Sequence, residues 1–199
     1  IGAFAALAAA AAVAFAFFSD KIGKGYQWYR ILAVIDPNNE TGWAPSETIW
    51  KNIIYQQQRG EIAIGSGGLL GRGLGNGLQK QLYLPEPHND FIFATWCEEM
   101  GLIGALLVIL LFAYLIYRGF RVARYAPDKF GSLLATGITA KLAIQTLMNL
   151  FVVTGIMPVT GAALPFFSYG GTALLLQLGE MGILLNISRY MRIDGRNQD

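Results

Sequence analysis

A polar, glycine-rich stretch interrupts an otherwise apolar chain from Gly65 to Phe93, where the sequence is GSGGLLGRGLGNGLQKQLYLPEPHNDFIF. Seven glycines fall within its first thirteen residues, which is too many for the interior of a helix or a strand. The backbone is therefore expected to bend tightly here or to approach something else closely. Two cations, Arg72 and Lys80, follow the first glycines, and an acidic run from Glu86 to Asp90 ends where an apolar helix begins.

The composition around this stretch is that of a membrane protein. Of the 199 residues, 54% are hydrophobic and 14% are charged, and the mean hydropathy of +0.42 is too high for a soluble domain of this size. The cations sit in short clusters beside apolar runs, which indicates membrane topology rather than nucleic-acid binding. The chain begins at Ile1, inside an apolar run without a basic leader. We therefore expect a fragment that lacks an N-terminal part, not a signal peptide.

Four apolar segments are long enough to cross a membrane as helices: Ile1–Phe18, Phe91–Tyr117, about Phe130–Gly155 and about Gly171–Met191. Clusters of cations follow the first, second and fourth of them, and the positive-inside rule places those three ends in the cytoplasm. The clusters are Lys21, Lys24 and Arg30, then Arg118, Arg121, Arg124 and Lys129, and finally Arg189, Arg192 and Arg196.

Two successive inward helices are impossible, so a further crossing is predicted between Arg30 and Phe91. Residues Ile31 to Ser46 contain turn residues and are expected to form a loop. Thr48–Gly65 is the best candidate for the crossing, although its polar residues must then face other helices or a watery cavity. Those residues are Lys51, Gln56, Gln57, Gln58, Arg59 and Glu61.

The predicted fold is thus an all-α polytopic membrane protein. It has about five transmembrane helices, one of them polar, within a single domain over residues 1–199. The glycine-rich loop and the proline-containing loop Ile156–Gly171 are both predicted to face outward, and the C-terminus to lie in the cytoplasm.

Asp90 has two open interpretations. An aspartate directly before an apolar run often caps a helix by accepting hydrogen bonds from its first amides. It is equally suited to act as a base at the membrane surface, and Asn89 would then do the capping.

Other polar residues lie within the predicted helices. Glu98, about two turns beyond Asp90, is either functional or paired with a cation of the polar crossing. Lys141, Gln145 and Asn149 are spaced four residues apart and form one polar stripe. Since Glu180 lies near the middle of the next, antiparallel helix, a Lys141–Glu180 ion pair is predicted.

Several kinds of site are poorly supported. The glycines match neither the dinucleotide-binding nor the phosphate-loop pattern. His88 and Cys97 are the only histidine and cysteine, which argues against zinc binding and Cys–His catalysis and excludes a disulfide within the chain. Ser168 lies in no nucleophile elbow with a partner histidine.

Two long segments span the glycine-rich stretch and most of the proline-containing loop: IAIGSGGLLGRGLGNGLQKQLYLPEPHNDFIFATWCEEMGLIG and PVTGAALPFFSYGGTALL. They resemble the signature segments of the SEDS family, the bacterial RodA, FtsW and SpoVE proteins. The Asp36-Pro37 turn and the Tyr55-Gln56 pair extend the resemblance from about Ile31 onward. The chain departs from many members at Arg59-Gly60, where they have Gln-Ser. Since members have about ten transmembrane helices, the chain resembles the C-terminal half of such a bundle.

The resemblance implies a peptidoglycan glycosyltransferase that polymerises lipid II into β-1,4 glycan strands at the outer face of the bacterial plasma membrane. It also implies a class B penicillin-binding protein as partner and a role in cell division, cell shape or sporulation. The family's key aspartate falls on Asp90, which is expected to be the catalytic base. Further substrate contacts are expected from Arg72, Gln79, Lys80, Glu86, His88, Ser168 and Tyr169.

One carboxylate is enough for this chemistry, because the diphosphate leaves as a stable anion and needs no paired acid. Arg72 and Lys80, or a divalent cation, would offset its charge. Two alternatives stay open. A flippase or other transporter would use Glu98, Lys141 and Glu180 as an ion relay, and a scaffold would only recruit a transpeptidase.

Overall fold

The computed structural model describes residues 26–38, 42, 47–78 and 90–191. Within these ranges the chain forms five α-helices and no β-strand, as the all-α prediction requires. The predicted first crossing, Ile1–Phe18, lies outside the described residues. The helices are α1 (Tyr26–Ile35), α2 (Glu47–Ser66), α3 (Ile92–Arg124), α4 (Lys129–Val153) and α5 (Gly171–Arg189).

Three of these helices, α3, α4 and α5, are long and apolar enough to cross a membrane, which confirms three of the predicted crossings. The end of α3, the first half of α4 and the second half of α5 share one cluster that contains Val122, Ala135 and Leu184, so α4 runs antiparallel to both α3 and α5. Asp128 caps α4 by accepting a hydrogen bond of 2.9 Å from the Gly131 amide. The protein is therefore a multi-pass membrane protein.

Helix α3 continues further than its hydropathy predicts. It ends at Arg124 rather than at Tyr117, so Arg118, Arg121 and Arg124 lie on its last turns and not in the following loop. The prediction was wrong because it ended the helix with the apolar run. Arginine is a good helix former, and positive charge is favourable at a helix C-terminus.

Helix α3 is broken at Gly101, whose φ of 66° and ψ of −165° are not helical. A break leaves carbonyls before it and amides after it without partners inside the helix. The glycine-rich stretch supplies those partners through four backbone hydrogen bonds. The amides of Arg72 and Gly73 donate to Glu98 and Glu99 (3.0 Å each), and those of Leu102 and Ile103 donate to Gly68 and Leu69 (2.9 and 3.3 Å).

This backbone-to-backbone contact explains the density of glycines. A Cβ atom on Gly67 would overlap the Cys97 carbonyl, and one on Gly71 would overlap the Glu99 carbonyl. Gly71 also has a φ of +78°, which side chains with a Cβ rarely adopt. The expectation that the glycines allow a close approach is therefore confirmed, and the approached group is the broken helix.

Residues 31–35 were predicted as part of a loop, which is wrong, because they complete α1. Tyr29, Leu32 and Ala33 form one face of α1 and pack against Trp50 and Ile53 of α2. This spacing of three and four residues is that of a buried helical face, and tertiary packing decides the conformation. The predicted turn is present just afterwards, at Pro37–Asn38.

The predicted polar crossing Thr48–Gly65 is a helix, α2, but it does not run antiparallel to α3. A Cβ atom on Gly60 would lie 2.6 Å from the Phe91 ring, and Gly67 abuts Cys97. The two helices therefore run side by side in the same direction. A crossing that returned the chain to the start of α3 would have to run antiparallel to α3. The predicted outward crossing at Thr48–Gly65 is therefore wrong.

The error comes from the cationic cluster that includes Arg30. The Arg30 Nη1 atom donates a 2.6 Å hydrogen bond to the Val159 carbonyl, in the α4–α5 loop. Because α3 and α4 are antiparallel, this loop lies at the same end of the bundle as the start of α3, and so does Arg30. About 70 residues separate Phe18 from Phe91, and segments longer than about 60 residues do not follow the positive-inside rule reliably.

Candidate functional site

Asp90 stands two positions before Ile92, the first residue of α3. The N-cap residue of the helix is Phe91, whose side chain has no acceptor, so Asp90 lies one position outside the cap. Phe91 itself is fully buried, in the hydrophobic cluster shared by α2, α3 and α4. The buried ring anchors the start of α3, and Asp90 is partly exposed at the end of the bundle.

The side chain of Asn149 connects Asp90 to the α4–α5 loop. Its Nδ2 atom donates to the Asp90 carbonyl at 2.9 Å and to the Ala162 carbonyl at 2.7 Å. The loop residue Gly161 has a φ of +76°, and a Cβ atom there would lie 3.6 Å from Oδ2 of Asp90. The carboxylate of Asp90 therefore lies against the backbone of this loop.

Three further side chains hold the same loop. Arg30 of α1 binds the Val159 carbonyl, as described above, and Nε2 of Gln145 on α4 donates to the Ala163 carbonyl at 2.9 Å. On α5, Oε1 of Gln177 accepts a 2.9 Å hydrogen bond from the amide of Phe166, a non-glycine residue with a φ of +64°. The loop beside Asp90 is thus anchored by three helices.

Ser168 and Tyr169 lie in the second part of this loop. Both line an open cavity of about 450 Å³ together with Ile92, two residues after Asp90. Tyr169 is 87% exposed, so its ring is available to a ligand or to lipid. The structure therefore brings these two predicted substrate contacts to the end of the bundle where α3 begins.

Glu98 is fully buried beneath the glycine-rich stretch. Its Oε1 atom accepts a 2.9 Å hydrogen bond from the Leu78 amide and lies 3.9 Å from Nη1 of Arg72. The expected cation from the polar crossing is thus replaced by one from the glycine-rich stretch. The Nε atom of Arg72 also donates to the Ser66 carbonyl at 3.3 Å, so this cation contacts protein groups on both sides.

The predicted ion pair between Lys141 and Glu180 is present: Nζ of the lysine binds Oε1 of the glutamate and joins α4 to α5. With Gln145 and Asn149 also engaged, every member of the predicted polar stripe of α4 has a partner. Gln56 is half-buried on α2.

Four predicted substrate contacts, Gln79, Lys80, Glu86 and His88, lie outside the described residues. Among the residues that the structure does describe, no three or more His, Cys, Asp or Glu side chains form a group that suits a metal ion.

Comparison with known proteins assigns the family. Residues 1–193 match the sequence profile of the FtsW, RodA and SpoVE family, described as cell cycle proteins. The chain belongs to this family. Stage V sporulation protein E of Bacillus subtilis is 56% identical over 130 residues, which are 65% of this chain and 36% of that protein. The probable peptidoglycan glycosyltransferase FtsW of Geobacter sulfurreducens is 46% identical over 167 residues, which are 84% of this chain and 42% of that protein.

Solved structures of the family share the fold. A chain from a peptidoglycan synthase complex, described in terms of coordinated polymerization and crosslinking, is 28% identical, with a TM-score of 0.66 over 97% of this chain and 50% of that chain. The rod shape determining protein RodA of Thermus thermophilus is 26% identical, with a TM-score of 0.51 over 87% of this chain and 62% of that one. This member of the family spans less than half the length of the two curated relatives named above.

Sequence reasoning missed three residues of the site: Arg30, Gly161 and Gln177. Arg30 had been counted only as a topology signal, and nothing local indicates that it binds a distant carbonyl. Gln177 carried a usable signal, since it is a polar residue three positions before Glu180 in an otherwise apolar helix and therefore lies on a similar side. Gly161 follows a proline by three residues, as in many turns, but its proximity to Asp90 depends on the packing of α3 against α4.

Proposed function

We propose that the whole protein is a peptidoglycan glycosyltransferase that polymerises lipid II, with Asp90 as its catalytic base. The observation that supports this most directly is the position of the Asp90 carboxylate. It stands outside the helix cap at the end of the bundle, against a loop that three helices anchor. Relatives of this chain carry the name peptidoglycan glycosyltransferase, which agrees with this assignment.

In the proposed reaction the C4 hydroxyl of the acceptor sugar attacks the anomeric carbon of the donor. Asp90 accepts the hydroxyl proton as the new C–O bond forms. The bond from the anomeric carbon to the diphosphate oxygen breaks, and the electron pair leaves with the lipid diphosphate, so the configuration of the anomeric carbon inverts. No proton has to be delivered to this leaving group, and one carboxylate is sufficient.

The diphosphate needs positive charge close by, and we propose that Arg72 and Lys80 supply it. The side chain of Arg72 is 39% exposed, and its contacts with Glu98 and the Ser66 carbonyl are long, at 3.9 and 3.3 Å, so a bound anion could compete for its guanidinium group. Ser168 and Tyr169 line a cavity near the start of α3 and are proposed to contact the sugars or the lipid. Gln79, Glu86 and His88 are proposed as further substrate contacts.

The proposed topology places Asp90, the glycine-rich stretch and the α4–α5 loop at the outer face of the plasma membrane. The cationic ends of α3 and α5, with Arg118, Arg121 and Arg189, then face the cytoplasm, as the positive-inside rule favours. We propose that the chain is the C-terminal half of a ten-helix bundle. A structural relative belongs to a complex described as polymerising and crosslinking, which supports a class B penicillin-binding protein as the partner.

The test compares Asp90→Asn with Glu180→Gln in the full-length protein, each reconstituted with lipid II and assayed for glycan chain length. Asp90→Asn keeps the size of the side chain and removes the base, so polymerisation should fall at least 100-fold with unchanged thermal stability. Glu180→Gln should retain polymerisation. Polymer of normal length and yield from Asp90→Asn would reject the assignment.

The same two variants distinguish the alternatives. A transporter would lose lipid translocation in Glu180→Gln and keep it in Asp90→Asn. A scaffold would tolerate both substitutions. Adding a chelator to the wild-type assay tests separately whether a divalent cation assists the diphosphate.

A further inference from the structure

We propose that Asn149 is a positioning residue, which holds the Asp90 carboxylate in its working place through the backbone on both sides of it. This inference rests on the proposed function for its catalytic consequence, and on the described contacts for its mechanical part. Asn149 is fully buried in the second half of α4, two turns after Lys141.

The two protons of one amide nitrogen serve two separate segments. One goes to the Asp90 carbonyl, at the entry to α3, and the other to the Ala162 carbonyl, beside Gly161. Gly161 is also the residue whose backbone faces Oδ2 of Asp90. The amide group of Asn149 therefore holds both the main chain of Asp90 and the loop main chain that the Asp90 carboxylate faces.

Few other side chains can do this. Aspartate of the same size has no proton to donate when ionised and would direct negative charge at two carbonyl oxygens. Leucine has the same number of non-hydrogen atoms and the same branch point, and it would leave both carbonyls without a donor in a buried place, where the loss costs more than at the surface. The Oδ1 atom of Asn149 has no hydrogen-bond partner among the described residues. Its role in these contacts is therefore that of a donor.

Gln145 provides a matched comparison on the same helix. It lies one turn earlier on the same face and donates to the Ala163 carbonyl at 2.9 Å. It thus holds the α4–α5 loop as Asn149 does, and its described hydrogen bond goes to the loop and not to the entry of α3. If Asn149 only held the loop, substitutions of Asn149 and Gln145 would have the same effect.

The catalytic arm compares Asn149→Leu with Gln145→Leu in full-length protein supplied with lipid II. Misplacement of a catalytic group by about 1 Å can cost about 100-fold in rate. Asn149→Leu is therefore expected to lower kcat at least 10-fold with KM within 3-fold, and Gln145→Leu to change kcat less than 3-fold. Equal losses of kcat in the two variants, or a loss confined to KM, would overturn the proposal.

The mechanical arm does not require activity. Hydrogen–deuterium exchange is measured on the same proteins at residues 92–95 and 160–164. Asn149→Leu should increase exchange in both segments, and Gln145→Leu only in 160–164. Unchanged exchange at residues 92–95 in Asn149→Leu would overturn the connection to Asp90. If Asn149→Leu fails to fold, Asn149→Ala, which also lacks a donor and adds no bulk, replaces it with the same expectations.

Failure of the proposed function gives a different result. Wild-type protein that does not polymerise lipid II would reject the catalytic role of Asp90 and with it the catalytic consequence of Asn149. Increased exchange in both segments of Asn149→Leu would in that case still support the mechanical connection.

Discussion

The backbones of Gly71 and Gly101 approach so closely that neither residue has room for a Cβ atom. Gly101 breaks α3, and Gly71 belongs to the stretch that supplies hydrogen bonds to the broken ends. The contact joins two segments thirty positions apart. It holds the glycine-rich stretch over the buried Glu98.

We expect Gly101→Ala to destabilise the protein strongly. Its backbone conformation is one that only glycine adopts readily, which costs about 1–3 kcal/mol, and the collision with Gly71 adds about 1–3 kcal/mol. The measurement is thermal unfolding of the purified protein in detergent. Gly68→Ala is the control: Gly68 also has a positive φ, of +56°, but no atom of the described residues lies within 4 Å of its Cβ position. Equal destabilisation by both substitutions would contradict the close contact.

The contact between Gly60 and Phe91 gives a second prediction. A Cβ atom on Gly60 would lie 2.6 Å from the buried Phe91 ring, so Gly60→Ala should cost about 1–3 kcal/mol of stability. Gly65→Ala, on the same helix and without a described atom within 4 Å of its Cβ position, should be neutral or stabilising by up to about 1 kcal/mol.

Replacing the Phe91 ring by a smaller side chain tests the cause of this loss. Phe91→Leu should cost less stability in the Gly60→Ala background than in the wild-type protein, because the smaller side chain relieves the collision. Additive losses in the double variant would show that Gly60 and Phe91 do not interact.

The ion pair between α4 and α5 gives a third prediction. Lys141→Met leaves Glu180 without its cation at the middle of a membrane-crossing helix, and an uncompensated charge at that depth is costly. The double variant Lys141→Met with Glu180→Leu removes both charges and should be more stable than Lys141→Met alone. Thermal unfolding of the single and double variants measures the coupling. Losses of equal size in Lys141→Met and in the double variant would mean that the unpaired Glu180 carries no cost, which would contradict the prediction.

The α4–α5 loop gives a fourth prediction through Gln177. Replacing it by methionine keeps the length of the side chain and removes the acceptor for the Phe166 amide, at a cost of about 1–3 kcal/mol. Leu176→Met, at an exposed neighbouring position, is the control and should change stability little. An unchanged melting temperature would contradict the role of this hydrogen bond.

The main fold was predictable because the signals for it are local. Hydropathy and length identify α3, α4 and α5, since each apolar run must be about as long as a bilayer is thick. The Lys141–Glu180 pair was predictable as well, because successive membrane-crossing helices run antiparallel, which brings their middle residues to the same depth.

The direction of α2 was not predictable in the same way. The positive-inside rule placed Arg30 in the cytoplasm and therefore required a crossing between Arg30 and Phe91. The packing of Gly60 on Phe91 contradicts that crossing. Of the proposed site, the family resemblance indicated Asp90, Ser168 and Tyr169, and their roles stay predictions. Asn149 and Gly161, which contact Asp90, and Arg30, which binds the loop beside it, lie 59 or more positions away in the chain.

The sequence alone determined that this chain is helical, apolar and built around a glycine-rich stretch, because composition and spacing act within each segment. Only the tertiary structure decided what the glycines are for and what Asp90 faces. Both depend on which backbones come within hydrogen-bond distance. That is set by the packing of whole helices, and no single segment contains this information.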